Sequence, residues 1–265
     1  MHTLRFFKLL LLISLLSLAN QASANSPYQT TAPSSLAGIA ETLEDPSGKL
    51  TINDVTSPEK SKAFSAWGSE NNINYGFTSS AHWIRIPLVK ASGEDASKVI
   101  EVPYAQISEI SFFAPEHPTV VTGNLYPVSS RAFFHRFFAF PIELKNETQY
   151  FYIRVASSYA LTVPIMLWQE DAFYAHQQKT LMVQFLYYGG LLTLLIYNLF
   201  LFFSLKNRQF LYYALFAGLF GMGMLAGNGY GRLLLWPDLA KFDDISQTFL
   251  LSLISAMGAT FTSAF

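Results

Sequence analysis

No cysteine occurs among the 265 residues. Disulfides, thiolate metal sites and cysteine nucleophiles are therefore excluded, and any exported part must be held together by packing. Charge is scarce too, at 13% of residues, and it is missing from long stretches. Asp, Glu, Lys and Arg are absent from the 26 residues Thr180–Leu205, from the interval between Arg208 and Arg232, and from Ile245 to Phe265. A hydrocarbon core about 30 Å thick is crossed by roughly 20 apolar residues in a helix, so each stretch is long enough to span. None carries an ionisable group at depth, as ion pathways and proton relays ordinarily do. A channel or transporter is disfavoured.

At the N-terminus, Arg5 and Lys8 precede the apolar run Leu9–Leu18, and Ala22-Ser23-Ala24 supplies a small-x-small pattern. This is the layout of a secretory leader over residues 1–24, cut after Ala24. An uncleaved anchor is the alternative, but a run of about ten residues is short for a span. Residues 25–179 then form a water-soluble region with 11 Lys/Arg against 15 Asp/Glu, a net charge of −4. That balance is unlike the basic footprint of a nucleic-acid binder. With the soluble region exported, Lys206-Asn207-Arg208 falls in the cytoplasm, where short loops concentrate positive charge. The loop around Arg232–Asp244 then faces outward.

Alternation of period two recurs in the soluble region. In Trp83-Ile84-Arg85-Ile86-Pro87-Leu88, the residues Ile84, Ile86 and Leu88 share one face, and Trp83 and Arg85 the other. Lys98–Pro103, Ile107–Phe113, Phe137–Leu144, Gln149–Val155 and Leu161–Trp168 are similar runs, separated by breakers such as Pro115-Glu116-His117-Pro118 and Lys145-Asn146-Glu147. Short strands about ten residues apart predict an antiparallel β-sandwich or jelly roll. Pro87 and Pro164 place their runs at an edge or a bulge. Helices are expected over Asp54–Phe64 and over Glu170–Gln178, the latter leading into the membrane.

Three transmembrane helices are expected at about 182–205, 209–227 and 246–265. The first is rich in Leu and Phe and should insert unaided. The second is weaker and carries Gly218, Gly221, Gly223 and Gly227. Gly218, Gly223 and Gly227 are candidates for close helix packing, Gly223 and Gly227 forming a GxxxG pair. Gly229–Gly231 reads as loop. Ser252, Ser255, Gly258 and Ser263 suit a bundle interior in the third.

Catalytic patterns are lacking. The five histidines (2, 82, 117, 135 and 176) have no ligand spacing, and no phosphate loop or GxSxG elbow occurs. No catalytic residue, metal site or cofactor is expected. The better candidates bind: Trp83 and Arg85 on one strand face, and Arg131 and Arg136 around Phe133 and Phe134. An aromatic plate beside guanidinium forks suits stacking on a sugar ring and bonding its hydroxyls. The competing reading packs Trp83 into a second layer and pairs the arginines with Glu101 or Glu143.

Several segments, taken in order, carry a likeness. Glu44–Ile52 is followed by Asn74-Tyr75-Gly76-Phe77-Thr78, Trp83-Ile84-Arg85, Thr122-Gly123-Asn124, Arg136–Pro141 and Tyr152-Ile153-Arg154-Val155. Tyr187-Tyr188-Gly189-Gly190, Leu195–Phe200, Phe210–Tyr213, Gly229-Tyr230-Gly231 and Leu235-Trp236-Pro237 continue it. Together these resemble the bacterial 7TMR-DISM family, seven-transmembrane receptors with diverse intracellular signalling modules, in its type-2 extracellular domain and the start of its membrane domain. The resemblance implies a jelly-roll sensor of small ligands, carbohydrate among them. It also implies an inner-membrane location with the sensor in the periplasm, and a cytoplasmic output such as a diguanylate cyclase or histidine kinase. The chain stops at Phe265 without such a module and so reads as truncated. A membrane-anchored carbohydrate-binding module without signalling is the rival function, an envelope enzyme the second. A homodimer is compatible with the sequence.

Overall fold

The computed structural model describes residues 32–69 and 71–263. The leader expected over residues 1–24 lies outside the described residues. Among the described residues, twelve strands precede three long helices. The strands are β1 (Ser34–Ser35), β2 (Glu41–Asp45), β3 (Ser65–Ala66), β4 (Ile73–Gly76), β5 (Ala81–Leu88) and β6 (Ser97–Val102). They continue as β7 (Glu109–Phe113), β8 (Val120–Thr122), β9 (Phe138–Glu143), β10 (Gln149–Ala156), β11 (Leu161–Val163) and β12 (Met166–Gln169).

Two antiparallel sheets face each other, one ordered β1-β12-β6-β9 and the other β3-β2-β5-β10-β7-β8; β11 and β4 pair separately. Alternation decides which side chains lie between the sheets. Ile84, Ile86 and Leu88 of β5 meet Ile100 and Val102 of β6, Phe138, Phe140 and Ile142 of β9, and Phe151, Ile153 and Val155 of β10. Phe140 stacks on Phe112 with ring centroids 4.4 Å apart. Pro87 lies beyond the end of β2, whose pairing with β5 stops at Arg85, so the missing N–H interrupts no ladder on that side. Pro164 falls between β11 and β12 and splits the run expected over Leu161–Trp168 into two strands in different sheets.

Both outer faces are covered. The expected helix Asp54–Phe64 is reduced to one turn, α1 (Ile52–Val55), and a 3-10 turn over Lys60–Ala63. Pro58 between them cannot continue an α-helix from the preceding turn, and α1 begins in a capping box of Thr51 and Asp54. This segment lies over the six-stranded sheet, where Arg85 donates to Ser61 and Arg154 to the carbonyl of Gly48. The four-stranded sheet is covered by the first turns of α2 (Glu170–Leu205), whose Ala172 and Phe173 pack with Val99, Ala139 and Trp168. The helix expected over Glu170–Gln178 and the first span are one uninterrupted helix of 36 residues, about 54 Å at 1.5 Å per residue.

The chain turns at Lys206 and returns as α3 (Arg208–Gly227); a short helix α4 (Tyr230–Leu234) leads to α5 (Ala240–Ser263). α2, α3 and α5 are each long and apolar enough to cross a membrane. An added Cβ at Gly218 would come 2.9 Å from Leu195 of α2, and one at Gly223 would come 2.7 Å from Ile254 of α5. Gly227 lies beside Gln247 of α5. The glycines of α3 therefore let it approach a helix on each side.

Candidate functional site

Two neighbouring cavities among the described residues bring polar side chains close to the junction of sandwich and helices. The first is an open groove of about 640 Å³ lined by Phe77, Ser79, Ser108, Glu109, Leu125 and Ser157. Phe77 follows Gly76, whose φ of +65° directs the chain outward, and its ring is 87% exposed. The ring is open to a ligand in the groove. Glu109 is fixed at the groove wall by Arg154 and by the hydroxyl of Tyr126, 3.2 Å away.

Two residues of this groove region reach the helices. The carbonyl of Tyr126, whose hydroxyl donates to Glu109, accepts from Arg232 Nη2 on α4. The carbonyl of Gln106 accepts from groove residue Ser157, and the Gln106 side chain bonds Gln247 of α5. Val128 N also donates to the carbonyl of Pro237 at 3.2 Å. Val128, Tyr230 and Leu233 form an apolar cluster against Leu181, Tyr188 and Leu225. The loop between α3 and α5 is thus docked on the sandwich.

Beside it lies the second cavity, about 240 Å³, bordered by Arg131 and Arg136 from the loop before β9, Arg232 of α4, and Asp243 and Gln247 of α5. Arg131 Nη1 donates to the carbonyls of His135 and Arg136 at 2.7 and 3.0 Å, and its guanidinium lies over Phe138. Burial and then the nearby charge of Arg232 push the Arg131 guanidinium down to about 10, Asp243 offsetting part of this; it remains a cation at neutral pH. Arg136 lies over the rings of Phe137 and Tyr230. Arg232 is only 1% exposed, and Asp243 Oδ2 is 3.7 Å from its Nη1. Burial lowers the pKa of Arg232, with Asp243 and Asp238 opposing the shift.

The residues expected to bind ligand are only partly brought together: Arg131 and Arg136 share the second cavity, and Trp83 and Arg85 do not border it. Trp83 is fully buried and stacks on Phe113 at 5.4 Å, so it has no face to offer a ligand. Arg85 pairs with Glu41 at 2.5 Å, Ser61 and the ring of Phe64, with neither Glu101 nor Glu143 involved. Glu101 instead accepts from Trp168 Nε1 at 2.7 Å and lies 3.0 Å from His135 Nε2. Phe134, 68% exposed, borders a smaller apolar cavity against α2 that Arg136 also touches, whereas Arg131 borders the larger one. Phe77, Tyr126, Gln106 and Arg232 escaped the sequence reading. Of these Arg232 left a trace as the cation that ends the second apolar stretch, and Phe77 as part of the Asn74–Thr78 segment of the family likeness. Among the described residues, no group of three or more His, Asp or Glu could hold a metal ion.

Comparison with known families accounts for this architecture. A model described as 7TMR-DISM extracellular 2 matches residues 37–169, the sandwich, and one described as 7TM diverse intracellular signalling matches residues 180–265, the helices. No match is found among curated proteins. The chain belongs to the 7TMR-DISM family, and it is a multi-pass membrane sensory receptor with its β-sandwich outside the membrane.

Proposed function

We propose that the sandwich senses a small carbohydrate held in the Phe77 groove and transmits its presence to a cytoplasmic output module through the docked helices. Carrying this reading is Tyr126, which bonds the groove carboxylate of Glu109 with its hydroxyl and Arg232 of α4 with its carbonyl. A ligand that draws Glu109 toward itself pulls on the same residue that holds the membrane loop. The exposed ring of Phe77 beside the hydroxyls of Ser79 and Ser157 suits the apolar face and the rim of a pyranose. A module that was merely anchored would need one tethering helix, whereas here α2 is packed on one sheet and the α3–α5 loop is bonded to the sandwich as well.

The membrane is taken to be the bacterial inner membrane, with the leader exporting the sandwich to the periplasm. A thermal-shift screen of the full chain in nanodiscs against neutral sugars and uronates tests the reading. A hit is expected whose affinity falls roughly tenfold in Phe77→Ala, equivalent to about 1.4 kcal/mol. Tyr126→Phe should retain much of the affinity and lose the ligand's effect on labelling of a cysteine introduced at Leu234, which is clean in a cysteine-free chain. Sugar binding indifferent to Phe77→Ala would remove the groove from consideration.

A further inference from the structure

The cavity between the sandwich and the α3–α5 loop has an imbalance that the groove reading does not use. Three guanidiniums, Arg131, Arg136 and Arg232, border it, against the carboxylate of Asp243, the one acidic group among its described lining side chains. Arg232 Nε and Nη1 and Arg136 Nε are buried with no hydrogen-bond acceptor among the described residues. Asp243 is already committed elsewhere, its Oδ1 accepting from Trp236 Nε1 at 2.7 Å, and its Oδ2 remains 3.7 Å from Arg232. Buried donors on a cation are costly to leave unmade, and burying like charges together adds repulsion. Water filling about 240 Å³ would accept hydrogen bonds, but it would leave the charge uncompensated.

We propose that this cavity is a binding site for a phosphate-type oxyanion, clamped by Arg131 and Arg136 of the sandwich and Arg232 of the membrane loop. Guanidinium forks match the paired oxygens of such a group. The site is assembled only when loop and sandwich are docked, so its occupant would bind the docked form better than any undocked one and shift the population toward it. Gly229 permits that closeness: its φ is +77°, and an added Cβ would come 3.1 Å from the carbonyl of Arg136. The same chemistry is available from a free phosphate or from a phospholipid headgroup, since Leu251 at the start of the third apolar stretch also borders the cavity.

The test uses the full chain in nanodiscs of phosphatidylcholine, with inorganic phosphate as probe and chloride matched for ionic strength. A free anion predicts a saturable rise in Tm with phosphate. A headgroup predicts a higher Tm in phosphatidylglycerol nanodiscs, together with little further gain from phosphate there. Arg232→Gln should weaken the response at least tenfold in whichever arm shows it. Should that variant fail to fold, Asp243→Asn decides: Asn keeps the acceptor for Trp236, removes the opposing charge, and should tighten the response several-fold. If neither phosphate nor phosphatidylglycerol raises Tm, or if Asp243→Asn and Arg232→Gln leave the response unchanged, the site does not exist. Because Phe77 lines the groove and not this cavity, Phe77→Ala should leave the phosphate response intact, which separates this outcome from that of the sugar groove.

Discussion

The sandwich and the helices solve opposite solvation problems with the same apolar residues. In the sandwich, Ile84, Ile86, Phe140 and Ile153 are closed between two sheets and polar residues face water. On α2 the order is reversed: Leu186 is 81% exposed, Phe185 and Phe200 are exposed as well, and the polar Asn198 is buried, bonded to the carbonyl of Leu194. Burial from water drives the first arrangement. Lipid is as apolar as leucine, so the second needs contact geometry between helices, which the small residues of α3 supply. Burial inside the protein therefore measures importance to stability in one region and not in the other.

The strongest way to break this comparison is to truncate one phenylalanine in each region. Phe140→Ala, with its ring stacked on Phe112 and nearly parallel to it, should cost about 3–5 kcal/mol. Phe200→Ala on the exposed side of α2 should cost less than about 1 kcal/mol. Denaturation of the full chain in detergent, followed by proteolysis of the sandwich, measures both; equal losses would mean that Phe200 packs against protein. Next in size is Gly231→Ala in α4. Its Cβ would run into the ring of Trp236, and that ring cannot swing aside freely because its Nε1 is held by Asp243. Overpacking of this kind costs about 1–3 kcal/mol. The loss should fall on loop docking, read as faster labelling of a cysteine placed at Leu233, with the core transition of the sandwich unmoved.

Period-two patterning reveals faces well, and the inward face of β5 and the six expected strand runs are visible in it. Strands β1 to β4 and β8 were not; β1 and β3 have two residues each, and β2 and β8 have identifiable reasons. Glu41–Asp45 is acidic on both faces because each face has a partner to serve, Glu41 bonding Arg85 on one and Glu44 accepting from Ser80 on the other. Val120–Thr122 is too short to alternate. The membrane spans stand out because charge is forbidden over a length fixed by the bilayer. The junction was illegible, since Arg232 and Tyr126 are 106 positions apart and their contact is a property of docking. Arginine and aromatic content pointed to binding chemistry near Arg131 and Arg136; nothing local said that Trp83, on an equally suggestive strand, is fully buried with its ring on Phe113.

Titration offers a smaller effect confined to the sandwich. His82 is buried, its ring stacked 3.7 Å from that of Tyr75 with Nε2 lacking a partner, and burial lowers its pKa, Glu44 opposing the shift. In the unfolded chain it titrates near the ordinary value of about 6.5. On acidification the unfolded state takes up the proton first, so stability is full above about pH 6.5 and declines as pH falls below it, until the folded state also protonates. The Tm of the full chain should drop between pH 7.5 and 5, and His82→Gln should flatten that drop. The apolar stretches of the spans hold no histidine or carboxylate, and their contribution should not follow pH.

The weakest perturbation separates charge that is buried from charge that merely sits on the surface. Arg85 and Glu41 are joined at 2.5 Å beneath a covering segment, with Ser61 and Phe64 completing the shell around the guanidinium. Lys145 and Glu116 are equally close at 2.6 Å, yet both side chains are exposed and Glu116 holds a left-handed φ of 62° in its loop. Water and salt screen such a pair, and ordering two long side chains offsets what attraction remains. Lys145→Ala should therefore leave the Tm of the full chain unchanged in 0.15 M salt, although its hydrogen bond is as short as many in the interior. A measurable loss would show that the turn carrying Glu116 is held by this contact and not by its backbone bond from His117 to Ala114.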